Sequence, residues 1–359
     1  MTRHPPMRAG MIEAPHQRAS LGDLRLESGD TIREFELSYV THGRLNAARD
    51  NAVLVTVSLT GNHHRLDFLI GSGKALDPER HFIVCVDPIG NGLTTSPSNS
   101  SAQPGMKFPR FGIRDMVRSQ QRLLVDEMDL TGLHAVIGAS MGGMQALQWA
   151  VSFPEFPRSV VAMTPMARTA PWAVAVVETA RRALTADPAW DGKQFTGYPE
   201  RGWAAWTGVM SVLASRTPHA LADMFLQPLD ALEWIDKVTA ENRAAGFDAT
   251  DWLYQSWAYQ EHDVGGTPGF HGDLEEALGA IQARTLILAP PLDLFNPVLC
   301  AQEAADLIPG AMLVEIPSVQ GHQSAGTASA EDAIFLNEEI SAFLASIPSP
   351  EPDQPGSAS

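Results

Sequence analysis

Cysteine, basic charge and long apolar runs are all scarce in this sequence of 359 residues. Its two cysteines, Cys85 and Cys300, each lie in an apolar segment, so we expect core thiols in a reducing compartment rather than a disulfide. The formal net charge of −17 argues against nucleic acid as a partner, because phosphate binding needs clustered Lys and Arg. No apolar run is long enough to span a bilayer, and no apolar signal region follows the N-terminal residues. We therefore expect a cytoplasmic protein with no membrane partner.

The two ends of the chain differ in composition from the part between them. Residues 1–15 are rich in Pro, Arg and His and are expected to be loose, and 348–359 is expected to be a disordered tail. Within 16–168 and 265–347, short strand patterns alternate with helical patterns, which predicts a mostly parallel central sheet flanked by helices. The stretch 169–264 has helical patterns only and is predicted to be an inserted helical cap. No internal repeat is present.

The strongest chemical signal is Gly-Ala-Ser-Met-Gly at 138–142. An apolar run precedes this pentapeptide and a helical pattern follows it, which is the strand–turn–helix setting that exposes a nucleophilic serine. Gly138, Gly142 and Gly143 have the small side chains that such a sharp turn requires. Ser140 is therefore the predicted nucleophile, and the alternative is an ordinary glycine-rich turn that opens a helix.

A serine nucleophile needs a base to take its proton and an acid to orient that base. On α/β scaffolds with this serine motif, the acid and then the histidine follow the serine along the chain. Asp293 comes directly after the apolar run 285–292, and His322 follows the next strand pattern at 314–316. A loop carboxylate and a surface histidine are the alternatives for the two residues. Their joint occurrence in the right order predicts a catalytic triad with Ser140.

Two backbone N–H groups are expected to form an oxyanion hole. One belongs to Met141, directly after the nucleophile, and the other to Leu59 in the loop after an early strand, where a plain loop is an equal alternative. His63, His64 and Asp67 in the same loop have no third ligand at a zinc-like spacing. We therefore expect no metal site there, and a place at the mouth of a substrate pocket is favoured.

Longer stretches of the sequence resemble the homoserine O-acetyltransferase family of α/β-hydrolase-fold enzymes, and the resemblance runs from about Gly29 to Leu344. It implies an α/β-hydrolase fold, an acyl-enzyme on Ser140 formed from acyl-CoA without a bound cofactor, and ping-pong transfer to a small hydroxylated acceptor. Family members are often homodimers. The most specific stretches are 111–120, 137–151, 187–193 and 293–297.

The sequence departs from this family where the acceptor would be held. After the histidine the family has an Asp that meets the homoserine amine, and this chain has Gln323. The cap segment 206–212 lacks the Arg and the Tyr that the family uses near the acceptor carboxylate. Buried charges without partners are strongly destabilising, so the acceptor is expected not to be homoserine. The candidate pocket residues are Asn62, His63, Trp206 and Gln323.

Three functional hypotheses follow from these residues. The first is an O-acyltransferase for a small acceptor other than homoserine, and the second is a carboxylic ester hydrolase that uses the same triad. The third is a non-catalytic binding protein, which the complete triad disfavours. Arg216 is a candidate anion contact, although an exposed helix arginine is the favoured interpretation of that residue.

Overall fold

The computed structural model of the chain describes residue 4 and residues 7–348. The predicted disordered tail lies outside the described residues except for Pro348. Residues 7–15 of the predicted loose N-terminus form turns without a helix or strand. They nevertheless contact the rest of the fold, because the Ile12 N–H donates a hydrogen bond to the Asp67 carboxylate at 2.7 Å.

Eight strands form one central sheet. They are β1 (Gln17–Arg25), β2 (Thr31–His42), β3 (Ala52–Thr56), β4 (Phe82–Val86), β5 (Ala135–Ala139), β6 (Ser159–Met163), β7 (Arg284–Ala289) and β8 (Met312–Glu315). Their order across the sheet is β1-β2-β4-β3-β5-β6-β7-β8. The pairs β1–β2 and β2–β4 are antiparallel, and the pairs from β4 to β8 are parallel. The predicted mostly parallel sheet of the α/β-hydrolase fold is therefore confirmed.

Ten α-helices accompany the sheet in the described part of the chain. They are α1 (Ile113–Arg122), α2 (Met141–Ser152), α3 (Pro171–Thr185), α4 (Glu200–Thr207), α5 (Pro218–Met224), α6 (Asp230–Ala245), α7 (Ala249–Gln260), α8 (Leu274–Gly279), α9 (Val298–Leu307) and α10 (Ala330–Ala345). Helices α3 to α7 come between β6 and β7, within the predicted cap. The exact division into core and cap stays a prediction. None of the described helices is long and apolar enough to cross a bilayer.

Both faces of the sheet are covered by apolar packing. In β5, Val136 packs into the cluster that contains Trp149 of α2, whereas Ala135 and Ile137 pack into the cluster that contains Leu336 of α10. This division follows from strand geometry, because successive side chains point to opposite faces. Strands β3, β5 and β6 are buried along their whole length. Their carboxyl ends meet at one edge of the sheet, where the predicted nucleophile lies.

The sequence pattern does not predict strand β1 or helix α8, and helix α1 is more complex than its pattern indicates. Strand β1 is an edge strand whose apolar residues alternate with polar ones, and a register shift at Gly22 interrupts the alternation. Helix α8 has only six residues, too short for a clear helical period. The helical spacing of apolar residues over 113–128 predicts one helix, but the α-helix ends at Arg122 and the chain continues as a π-helical segment, Leu123–Glu127.

Candidate active site

Ser140 lies at a sharp turn between β5 and α2, with φ 57° and ψ −123°. This backbone conformation is strained for an L-residue, and such strain is common at functional sites. A Cβ atom on Gly138 would lie 2.2 Å from the carbonyl oxygen of Gly142, and one on Gly142 would lie 2.5 Å from that of Thr56. The glycines predicted around the turn are therefore required by the close approach of α2 to the strands. The Ser140 N–H donates to the Met163 carbonyl at 2.9 Å, which holds the turn against β6.

The three residues predicted as a triad lie in one hydrogen-bonded line. Nε2 of His322 is 2.8 Å from Oγ of Ser140, and Nδ1 of His322 is 2.7 Å from Oδ2 of Asp293. All three residues are buried, with 5 to 7% of each exposed. Asp293 follows β7, and His322 lies in a short 3₁₀ turn after β8. A proton on Nδ1 facing the carboxylate leaves the Nε2 lone pair directed at the serine hydroxyl.

The loop after β7 holds the Asp293 carboxylate in a fixed orientation. Oδ1 accepts hydrogen bonds from the N–H groups of Phe295 at 2.8 Å and Asn296 at 2.9 Å. The Phe295 ring also lies edge-on to the His322 imidazole, with 5.0 Å between the ring centroids. The fixed carboxylate and the Phe295 ring therefore both restrict the rotation of the His322 imidazole.

Tyr259, Asn296 and Thr164 connect this acid loop to the serine turn and were not found by sequence reasoning. The Tyr259 hydroxyl donates to Oδ1 of Asn296, and Nδ2 of Asn296 donates to the Thr164 carbonyl at 2.7 Å. Oγ1 of Thr164 accepts from the Ser140 N–H at 3.2 Å. Burial raises the pKa of Tyr259 well above its ordinary value, so the phenol stays protonated and keeps donating. The only sequence signal was that Asn296 lies within the specific stretch 293–297.

Leu59 and Met141, the two expected oxyanion-hole residues, lie at the carboxyl ends of neighbouring strands. Met141 is the first residue of α2, where backbone N–H groups have no partner within the helix. Leu59 follows Ser58, whose hydroxyl donates to the Ala139 carbonyl at 2.8 Å and so holds this loop at the end of β5. Neither N–H donates to a backbone acceptor within the described residues. Both groups are therefore available, and their role in binding an oxyanion stays a prediction.

The structure separates the four candidate pocket residues. Asn62 lines a cavity of about 430 Å³, which Ser140 does not line. His63 is only 2% exposed, and Trp206 is packed in the interior with its ring 5.0 Å from that of Trp203. Gln323 is half-buried in the turn that carries the histidine. His63 and Trp206 are therefore buried among neighbouring rings and polar groups, and their role in a substrate pocket stays a prediction.

Arg216 differs from the exposed helix arginine that the sequence favoured. It is half-buried, and its Nη1 donates to Oε1 of Gln320 at 3.0 Å. Burial lowers the pKa of this guanidinium from its ordinary value. The hydroxyl of the next residue, Thr217, donates to the Val319 carbonyl. The segment that contains Arg216 and Thr217 therefore packs on the loop that leads to His322. These tertiary contacts bury Arg216, and the local sequence pattern does not reveal them.

Comparison with known proteins places this geometry in a family. A family model described as the alpha/beta hydrolase fold matches residues 52–216. A homoserine O-acetyltransferase of Nostoc punctiforme is 34% identical over 333 residues, which cover 88% of this chain and 92% of the relative. A probable esterase of Corynebacterium glutamicum is 32% identical over 318 residues, which cover 87% of this chain and 90% of the relative.

A solved structure agrees with these sequence matches. An acetylester hydrolase from Corynebacterium glutamicum superposes with a TM-score of 0.85 at 29% identity, covering 92% of this chain and 96% of that chain. The relatives thus include acyltransferases and ester hydrolases. This chain is an enzyme of one of these two kinds. The chain belongs to the homoserine O-acetyltransferase-like family of the α/β-hydrolase superfamily.

Proposed function

We propose that this protein is a carboxylic ester hydrolase that forms an acyl-enzyme on Ser140 and releases a small acyl group, acetyl in the first place, to water. The observation that carries the proposal is the hydrogen-bonded line from Ser140 through His322 to Asp293. The activities for which the relatives are named, acetyl transfer and acetylester hydrolysis among them, support acetyl as the acyl group.

The proposed mechanism has two halves that use the same base. Nε2 of His322 takes the proton of Ser140 as its Oγ attacks the ester carbonyl, and Asp293 stabilises the imidazolium that forms. The N–H groups of Leu59 and Met141 stabilise the negative charge on the carbonyl oxygen. His322 then gives its proton to the departing alcohol. In the second half His322 takes a proton from the water that attacks the acyl group, and it returns this proton to Oγ of Ser140 as the carboxylic acid leaves.

The acceptor side of the site favours water over an amino acid. The resemblance places an acid for the homoserine amine at the position of Gln323, and an Arg for its carboxylate in the segment that begins at Trp206. Here the position of the acid holds Gln323, whose side chain is a neutral amide. The segment expected to carry the Arg begins with Trp206, whose indole is packed in the interior. A zwitterion held at these two positions would lose the two charged partners that the resemblance implies. Water needs neither partner.

Transfer from acyl-CoA to a small hydroxylated acceptor other than homoserine is the second candidate. It is favoured by the identity to homoserine O-acetyltransferases over most of the chain. It is also favoured by Arg216, a half-buried guanidinium near the His322 turn that has no carboxylate partner among the described residues. A cation in that position would suit an anionic group on a donor or an acceptor. Acyl-CoA would then be a co-substrate, with no bound cofactor required.

Quenched intact-mass measurement with p-nitrophenyl acetate, and separately with acetyl-CoA, tests both candidates. The wild type is compared with Ser140→Ala and with Ser152→Ala, a matched control at the end of α2. Acetate and acetylated acceptor are quantified with and without a neutral alcohol. We expect an acetyl adduct on Ser140 in the wild type and in Ser152→Ala, none in Ser140→Ala, and acetate as the main product.

The outcomes separate the candidates cleanly. Acetylated alcohol in excess of acetate would replace the hydrolase by the transferase while keeping the acyl-enzyme. An unchanged adduct and turnover in Ser140→Ala would overturn the mechanism itself.

A further inference from the structure

Four histidines from distant parts of the chain pack together outside the Ser140 line. His4 and His16 come from the N-terminal segment, and His63 and His64 come from the loop after β3. Their ring centroids lie between 4.3 Å, for His63 and His64, and 5.7 Å, for His4 and His16. These rings therefore form one cluster in which ring nitrogens from distant parts of the chain come close together.

Three of these histidines offer converging nitrogen atoms. One nitrogen from each of His4, His63 and His64 lies within 4.8 Å of the other two. Nε2 of His4 and Nε2 of His63 are 3.1 Å apart. Two nitrogen ligands on a tetrahedral zinc ion, each at about 2.0–2.1 Å from the metal, would be separated by about 3.3 Å. The pair already has a spacing suited to a shared ion.

His64 supplies the independent observation that a ligand is missing. Its side chain is 4% exposed, and its Nε2 has no hydrogen-bond partner among the described residues. Leaving a buried polar atom unpaired is destabilising, and such an atom in a native structure calls for an explanation. A metal ion accepting the Nε2 lone pair would satisfy it.

Buried carboxylates orient the two core histidines as metal-bound histidines are oriented. Nδ1 of His63 is 3.0 Å from Oδ2 of Asp87, and Nδ1 of His64 is 2.7 Å from Oδ2 of Asp67. Asp87 is fully buried, and the side chain of Asp67 is 4% exposed. A carboxylate at Nδ1 holds the proton there and leaves Nε2 free to bind a metal.

We propose that His4, His63 and His64 bind one divalent transition-metal ion through their Nε2 atoms, with zinc as the best match. Three imidazole ligands suit zinc, and water would complete its tetrahedral set. The ion would tie the N-terminal segment to the loop that carries Leu59, so its role is structural, and it takes no direct part in the acyl chemistry at Ser140. The local sequence spacing predicts no metal at His63 and His64. It cannot reveal the third ligand, His4, which is 59 residues from His63 in the chain.

His16 is outside the proposed ligand set. Its Nε2 lies 2.6 Å from Oγ of Ser38 and 3.4 Å from Oδ2 of Asp87. These contacts already satisfy this nitrogen. His16 therefore supports Asp87, which in turn orients His63.

Zinc binding to the full-length, untagged chain tests the proposal, because a polyhistidine tag would itself bind metal. The chelator-treated protein is titrated calorimetrically with Zn²⁺, and its visible absorption is recorded with Co²⁺ as a spectroscopic substitute. We expect one ion per chain and the intense absorption of tetrahedral Co²⁺. His4→Gln and His64→Gln should abolish stoichiometric binding, and Asp67→Asn should weaken the affinity about 10- to 100-fold. His219→Gln, at an exposed histidine on α5, should bind as the wild type does.

His4→Gln keeps the test decisive if a core variant fails to fold, since His4 itself belongs to no helix or strand. Hydrogen exchange of residues 7–15 should slow when Zn²⁺ is added to the wild type and stay unchanged in His4→Gln. Absence of stoichiometric binding in the wild type, or equal binding by His4→Gln, would overturn the metal site. The four imidazoles would then be a hydrogen-bonded cluster only.

Discussion

Asp293 contacts His322 through one carboxylate oxygen only. Oδ2 lies 2.7 Å from Nδ1 of the imidazole, while Oδ1 accepts the N–H groups of Phe295 and Asn296. The backbone therefore decides which oxygen faces the histidine, and the carboxylate cannot turn without breaking two hydrogen bonds. A change of Asp293 to Asn can therefore replace the acceptor that faces His322 by a donor without moving the side chain.

Asp293→Asn should lower kcat for p-nitrophenyl acetate by about 10⁴-fold with little change in folding. The backbone N–H groups would keep the amide oxygen at the Oδ1 position and direct the NH₂ group at His322, which favours the wrong tautomer. Asp273→Asn is the matched control, because Asp273 is an exposed N-cap of α8 far from this chemistry in the chain. A loss of less than tenfold in Asp293→Asn would contradict the orienting role.

Tyr259→Phe should lower the free energy of unfolding by about 1–3 kcal/mol, because Oδ1 of Asn296 loses its buried donor. The loss should appear in urea denaturation with an unchanged slope. The effect on kcat should be smaller than that of Asp293→Asn, since the tyrosine reaches Ser140 only through two intervening residues. Tyr198→Phe, at a tyrosine that is 45% exposed, serves as the control and should be neutral. Equal stability of the two variants would show that the network does not stabilise the site.

Gly138→Ala should destabilise the protein by about 3 kcal/mol or more, because the added Cβ would meet backbone atoms that have no room to move. The matched control is Gly208→Ala. Gly208 has helical φ and ψ angles, and nothing lies within 4 Å of an added Cβ. That variant should be stabilised by about 0.5–1 kcal/mol, the usual advantage of Ala over Gly in a helix. Thermal or urea unfolding of both variants measures the contrast, and similar results would contradict the close-packing argument.

The stability of the protein should fall between pH 7.5 and 4.5 in part because of His262. Burial, and next the charge of Arg114, lower the pKa of this histidine to about 3. In the unfolded chain His262 takes up a proton near pH 6.5, whereas in the folded chain its imidazole stays neutral down to about pH 3. The stability that the neutral His262 contributes above pH 6.5 is therefore lost as the pH falls from 6.5 toward 3. Two pH units below 6.5, the loss is about 2–3 kcal/mol at 1.36 kcal/mol per unit.

Urea denaturation of wild type and His262→Gln at the two pH values checks this prediction. The variant should have a lower stability at pH 7.5 but a smaller loss on acidification. His219→Gln, at an exposed histidine, should keep the wild-type pH dependence. An identical pH dependence in wild type and His262→Gln would show that this histidine does not remain neutral in the folded protein.

Much of the fold and the central site could be predicted because their signals are local. Strand–helix alternation gave the parallel sheet, and the glycines around Ser140 are needed by a turn only a few residues long. Asp293 and His322 were found because each directly follows a strand pattern. Strand β1 and helix α8 were missed, since an irregular edge strand and a six-residue helix have too few periodic positions to stand out.

Residues whose place depends on distant contacts could not be found in this way. Tyr259 and Asn296 are separated by 37 positions and meet only when α7 packs near the loop after β7. The contacts of the Trp206 ring with the rings of Trp203 and Trp252 likewise depend on tertiary packing, and the pocket role of Trp206 stays a prediction. Arg216 was expected to be exposed, and contacts with the loop before His322 bury it instead.

The sequence by itself determined the order of strands and helices, the serine turn and the candidate triad, because these depend on residue type and short-range spacing. Tertiary structure alone decided which side chains share a surface, since that depends on how far-separated segments are brought together by burial of the apolar faces. The convergence of His4 with His63 and His64 is such a case. Two neighbouring histidines in a loop become a candidate metal site only when the folded N-terminal segment brings the third.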